Sequence, residues 1–238
     1  MKKKKINIIP IVTAIALLLF VNSNEDVKQT IKRVINQESY SSYNIDNIPE
    51  YNKEPYVVLN NNEPEFDDKY KIEDSFEIYS SLDKLDRAGV AFANVSLDTM
   101  PDIKRGSIGN IKPSGWHTIK YNIVDGKYLY NRCHLIGYQL TGENDNPKNL
   151  ITCTRYMNTK GMLEFENKVT KYVKETKNHV LYRATPIYVD DNLLANGVQL
   201  EAYSIEDNGD GIKFNVFVYN VQDGIDIDYK TGNSKLKG

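Results

Sequence analysis

Lys127-Tyr-Leu-Tyr-Asn-Arg-Cys-His134, Asn149-Leu-Ile-Thr-Cys-Thr154 and Asn158-Thr-Lys-Gly-Met-Leu-Glu-Phe-Glu166 follow one another in the middle of the chain. Lys127 to Tyr130 alternates as a strand, and Asn149 to Thr154 is a second, short one. Asn158 to Lys177 is helical: Met162, Phe165, Val169 and Val173 recur at three- and four-residue steps with no proline between them. Outward from this stretch the pattern is strand-like. Tyr56 to Leu59, Phe76 to Ser80 and Gly89 to Val95 precede it. Thr118 to Val124, turning at Asp125-Gly126 into Lys127, reads as a hairpin. His179 to Val189, Gly197 to Ile205 and Lys213 to Val221 close the chain. The expected class is α+β, a central antiparallel sheet interrupted by one strand-loop-helix excursion.

Groups able to do chemistry concentrate in that excursion. Of the three histidines, His117, His134 and His179, only His134 stands beside an arginine at a strand end. The Arg132 guanidinium disfavours a second positive charge there, which keeps an imidazole neutral and fit to act as a general base. A structural histidine capping a loop has the same sequence. Downstream come Asn146, Asn149, Asn158, Glu164 and Glu166. Amide and carboxylate oxygens are hard ligands suited to Mg2+, although an Asn-rich loop is also ordinary turn chemistry. Asn158 and Glu166, eight apart, share a helix face two turns from each other.

Taken in order, Arg-x-His, Asn, a nine-residue step to Asn at a helix start and Glu eight further on resemble the DNA/RNA non-specific endonucleases. Their ββα-metal fold carries the signature Asp-Arg-Gly-His. The resemblance spans roughly residues 55–230 and includes Asp86-Arg-Ala-Gly-Val-Ala-Phe-Ala-Asn94, Lys104-Arg-Gly-Ser-Ile-Gly109 and Gly115-Trp-His117. The tract His134-Leu-Ile-Gly-Tyr-Gln-Leu-Thr-Gly-Glu-Asn144 is similar to secreted or membrane-tethered DNases of Gram-positive bacteria, nucleases of DNA uptake among them.

The resemblance implies a catalytic set of His134 as general base, Arg132 as adjacent phosphate-binding arginine, Glu166 holding metal-bound water, and Arg105 as a more N-terminal arginine. Glu164 competes with Glu166, and Arg87 stands behind Arg105. Asn158 is the implied direct ligand of Mg2+, for which Mn2+ can substitute. Arg132, Arg105 and Asn149 are expected on the substrate side, with Asn149 supporting the site. The implied reaction is Mg2+-dependent, sequence-non-specific hydrolysis of DNA, with RNA as the further substrate, leaving 5′-phosphates. The partner is nucleic acid held through its phosphate backbone; no protein partner is implied. The alternative is a catalytically inactive DNA-binding surface protein. Two positions depart from the signature: Asn131 stands for its Asp and Cys133 for its Gly. Cys153 is the chain's other cysteine, and a Cys133–Cys153 bridge closing the active-site loop is expected, two free thiols being the alternative.

Compartment and charge complete the reading. Lys2 to Lys5 precede an uncharged run from Ile6 to Val21, the pattern of an export signal. Residues 1–23 are expected to be a signal peptide or retained signal-anchor, 24–54 a polar linker or stalk carrying a short helix over Val27 to Ile35, and 55–238 the nuclease domain. The protein is then secreted, or extracellular and tethered to the membrane only through an uncleaved N-terminal segment. The formal charge of -2, from 30 Lys+Arg against 32 Asp+Glu, excludes a generally basic protein that gathers nucleic acid by its overall field. Along the chain the balance is uneven. Residues 81–178 hold 15 basic and 10 acidic groups, +5, while 24–80 hold 6 and 13, -7, and 179–238 hold 5 and 9, -4. Random clustering gives such blocks too, but a positive middle is where a polyanion would lie.

Overall fold

The computed structural model describes residues 25–26, 28–33 and 48–238. The expected leader and residues 34–47 of the expected stalk lie outside the described residues. Residues 28–33 are helical, and Ile31 is buried beside Tyr70, Phe76 and Phe92.

Strands β1 (Tyr56–Val58), β2 (Phe76–Tyr79), β3 (Ala91–Val95), β4 (Tyr130–His134) and β5 (Leu150–Thr154) precede the main helix, with a single helical turn α1 (Tyr138–Thr141) between the last two. The helical segment starts with the π-helical run Met157–Met162 and continues as α2 (Leu163–Thr176). Then come β6 (Val180–Ile187), β7 (Gly197–Ser204), β8 (Lys213–Tyr219), β9 (Ile225–Ile227) and β10 (Ser234–Leu236). Six strands form one sheet in the order β1-β8-β7-β6-β3-β2, with every neighbouring pair antiparallel. β4 and β5 make a separate two-stranded ladder, as do β9 and β10.

Alternation along β6 shows how the sheet serves two cores. Val180, Tyr182 and Ala184 face the cluster that holds Phe165, Val169 and Val173 of α2, while Leu181 faces Phe76 and Phe92 on the other side. Cys133, Leu135, Ile136, Ile151 and Cys153 enter the α2 side. The β4–β5 ladder and α2 are therefore packed into one core over the sheet, which is the ββα arrangement.

Two sequence expectations change. The hairpin over residues 118–130 shrinks to a single bridge between Lys120 and Tyr128, and residues 121–127 curl through consecutive turns. Val124, Leu129 and Tyr130 pack with Leu194 and Ile225, and that long-range cluster wins over local strand propensity. The chain then runs straight on, so the strand that matters is Tyr130–His134, with His134 inside it.

The helix also begins differently. The π-helical run Met157–Met162 carries Asn158, and Glu166 follows in α2. Gly161 lies in this run against β8, where a Cβ would come 2.2 Å from Val218 Cγ1. Gly161→Ala is expected to lower stability by about 1–3 kcal/mol through overpacking, more than the roughly 1 kcal/mol that alanine gains in a helix. Urea denaturation measures this, and a stabilised variant would show that the helix does not depend on that close approach.

Candidate active site

His134 ends β4 and pairs with Leu150, the first residue of β5; Arg132, two residues earlier, pairs with Thr152. The Cys133–Cys153 disulfide crosses the same two strands with 5.9 Å between Cα atoms. Both cysteines are buried. The loop between the strands is held by Asn149. Its Oδ1 accepts from the Ile136 amide at 2.9 Å and its Nδ2 donates to the Ile136 carbonyl at 3.0 Å. Asn149 is fully buried with its amide engaged this way. That geometry supports the loop and leaves no surface for nucleic acid, correcting its placement among the substrate-binding residues.

His134 retains 6% exposure, and its two ring nitrogens have different neighbours. Nε2 lies 2.8 Å from the Asn144 carbonyl, and Nδ1 lies 3.3 Å from Arg105 Nη2. A carbonyl only accepts and a guanidinium only donates, so the proton belongs on Nε2 and the lone pair on Nδ1. Burial lowers the imidazole pKa from 6.5 to about 4; the Asn144 carbonyl opposes that shift and the Arg105 charge adds to it. His134 is thus a neutral imidazole of fixed tautomer, with its basic nitrogen facing the exposed loop that carries Arg105.

Glu166, in the first turn of α2, is enclosed on its far side by Gly137, where an added Cβ would lie 2.5 Å from Oε2. Burial lifts its carboxyl to about 7, against a hydrogen bond from Gln139 and the Arg105 charge. Arg105 is therefore the cation shared by His134 and Glu166. Beneath Glu166, the buried Tyr182 hydroxyl has no hydrogen-bond partner among the described residues and is influenced by the Glu166 charge. Glu164 instead points outward and pairs with Lys168 at 2.7 Å.

Asn158 is half-buried, and its amide makes no hydrogen bond to any described residue. An unengaged amide oxygen and a carboxyl whose charge is held back by burial suit a hard divalent cation that keeps most of its waters. Among the described residues there is no cluster of three or more His, Cys, Asp or Glu that could hold a metal.

The arginines separate. Arg87 is bound to Asp83 at 2.7 Å, donates to the carbonyls of Asp190 and Asn192, and stacks on Tyr188, so it belongs to another part of the molecule. Arg132 donates from Nε to the Ile111 carbonyl and from Nη2 to the Gly109 carbonyl at 2.8 Å, and lies 3.9 Å over the Trp116 ring. His117 and His179 are engaged elsewhere, with the Thr231 carbonyl and Glu206. Sequence reasoning missed the Asn144 carbonyl, the Gly137 wall and Tyr182. A backbone oxygen leaves no mark in the sequence, and Tyr182 is one of 17 tyrosines.

A buried neutral histidine, an arginine against it and oxygen donors on the following helix are the parts that metal-assisted hydrolysis of a phosphodiester calls for. Residues 67–206 match the family model of the DNA/RNA non-specific endonucleases, and the chain belongs to that family. Among solved structures it is similar to NucA from Streptococcus agalactiae with magnesium bound, at 28% identity and a TM-score of 0.71 over 85% of this chain and 94% of that one. The same nuclease with no metal bound gives a TM-score of 0.70. Sda1 nuclease with a bound zinc ion is 25% identical, with a TM-score of 0.64 over 82% of this chain and 99% of the other. The fold is the ββα-metal fold, and the protein is an endonuclease acting on nucleic acid.

The His134 environment has a consequence for stability. In the unfolded chain the imidazole takes its proton near 6.5, and in the folded one only near 4. Between these values the unfolded state binds the extra proton, so the folded state loses stability as pH falls from 6.5 to 4. The loss is about 3 kcal/mol at most by linkage. Chemical denaturation of wild type and His134→Gln across that window checks it; the difference between them should shrink towards acid pH. A difference that does not change with pH would place the histidine in water.

Proposed function

We propose that the chain is an exported, Mg2+-dependent endonuclease that hydrolyses DNA without reading its sequence, with RNA as a further substrate, leaving 5′-phosphates. The observation that carries this reading is the His134 geometry: Nε2–H tied to the Asn144 carbonyl, Nδ1 unprotonated, the ring buried. Nδ1 accepts the proton of the attacking water once Arg105 yields its place. Arg105, exposed and adjacent, turns its guanidinium to the scissile phosphate, where a charge-assisted bond neutralises the non-bridging oxygens. Asn158 would hold the cation directly and Glu166 through water. When bound, Mg2+ supplies Lewis-acid stabilisation of charge on the phosphate and the departing 3′ oxygen. Backbone-directed contacts position the duplex without specifying bases, in keeping with the absence of sequence preference.

Export rests on the basic and apolar residues 1–23. Among the described residues no helix is long and apolar enough to cross a membrane, so any tether would come from that leader.

Digestion of supercoiled plasmid with Mg2+, Mn2+ or EDTA tests the reading. Wild type should cut with either cation and stop in EDTA. His134→Ala should lose about 10²–10⁴-fold, the range for a general base, and Asn158→Ala should lose activity comparably. Glu166→Gln should impair cutting, whereas Glu164→Gln should leave it near wild type. Metal-independent cutting that survives His134→Ala would sink the mechanism. Wild type that binds DNA but cuts none would favour the inactive DNA-binding protein instead.

A further inference from the structure

The loop from Ser96 to Leu129 has almost no regular structure, yet it presents Arg105 to the His134 ring. Such a segment would ordinarily lose its geometry to conformational entropy, which costs about 1–2 kcal/mol per fixed residue. Three ties oppose that around Arg105. The Tyr138 hydroxyl, on α1, donates to the Ile103 carbonyl at 3.0 Å, two residues before Arg105. Gly106 packs on Asn144, so that a Cβ there would sit 3.0 Å from Asn144 Nδ2. Arg132 then holds the Gly109 and Ile111 carbonyls and stacks on Trp116.

From these contacts we infer that Arg132 is a positioning residue: it holds the 103–111 loop so that Arg105 faces the reacting phosphate, and it does not bind phosphate itself. This rests on the nuclease reading and deepens it, since it leaves Arg105 as the arginine of this pair that meets substrate. The chemistry of Arg132 explains the choice of residue. Two carbonyls in different peptide units and an indole face call for a planar fork that donates in two directions and stacks; a lysine ammonium offers neither the fork nor the stack. Arg132 and His134 point from one face of β4, so the loop is registered against the strand that carries the base.

The test is a double-substitution cycle read by two measurements. One is kcat/KM on a fluorescent DNA duplex with Mg2+. The other is the salt dependence of binding to the same duplex in EDTA, followed by fluorescence anisotropy, where each phosphate contact contributes about 0.9 to the slope of log K against log salt. Arg105→Gln should lose roughly 10–100-fold in kcat/KM and lower the slope by about 0.9. Arg132→Gln should reproduce a large part of both effects, and Arg132→Lys should be no better than Arg132→Gln. In the Arg105→Gln background, Arg132→Gln should add less than about twofold and leave the slope unchanged. Tyr138→Phe, which removes one hydroxyl from a half-buried ring, should weaken cutting in wild type and have no further effect without Arg105; it decides the matter if Arg132→Gln folds poorly.

Losses that multiply, a second drop of about 0.9 in the slope, or an Arg132→Lys variant near wild type would each overturn the inference and make Arg132 a direct phosphate ligand. Should wild type bind DNA without cutting it, the nuclease reading fails, and the binding half of the cycle still decides the role of Arg132.

Discussion

The β4–β5 ladder is the constraint on which the site depends. Its antiparallel register sets Arg132 and His134 on one strand, while the connection back to Leu150 folds over them. A long connection between two short strands would be costly to close by backbone pairing alone, because loop closure and residue ordering oppose it. Three interactions offset that cost. The Cys133–Cys153 bridge fixes the ladder covalently, Asn149 clamps both polar groups of the Ile136 peptide, and Leu135 and Ile136 are buried against the α2 core. With the connection set, the Asn144 carbonyl can meet His134 Nε2 and Gly137 can close on Glu166.

The same burial that orders the loop shapes its electrostatics. Removing water penalises whichever form is charged, so one cause moves His134 down and Glu166 up. The imidazole is then neutral and ionisation of the Glu166 carboxyl is held back, with Arg105 acting on both. Arg105 lowers the Glu166 pKa as well as the His134 pKa, since a cation favours a carboxylate and disfavours an imidazolium. A site of this kind is poised for an anion and a hard cation together. A phosphate would meet a guanidinium already in place, and a divalent cation, when bound, would favour ionisation of the carboxyl.

Much of this was legible in the sequence, and the parts that were not share a reason. His134, Asn158 and Glu166 are named through the family resemblance, since the residues alone read equally as a loop-capping histidine and ordinary turn chemistry. Every long strand of the main sheet could be seen in apolar alternation. The hairpin at residues 118–130 could not be judged correctly, because Val124 and Leu129 are claimed by Leu194 and Ile225 from far along the chain. Nor could the π-helical start of the main helix, since it reflects how closely Gly161 approaches β8. Arg132 illustrates the same limit. The resemblance implies a phosphate-binding role for it; its bonds to backbone carbonyls and an indole are partners that a residue list does not show.

Charge gives the last step. A total of -2 excludes a protein that sticks to nucleic acid everywhere, and the acidic flanks reinforce that exclusion. An enzyme that cuts a polyanion must also release it, because tight uniform binding of substrate and product does not speed turnover. The excess of basic groups falls in the middle of the chain, and there a loop holds Arg105 against His134. Lys104 and Arg105 are both exposed on that loop, and Arg105 stands beside the buried, neutral His134. The exposed cation that stands against the buried imidazole is thus set by loop geometry, which the charge count along the chain does not show.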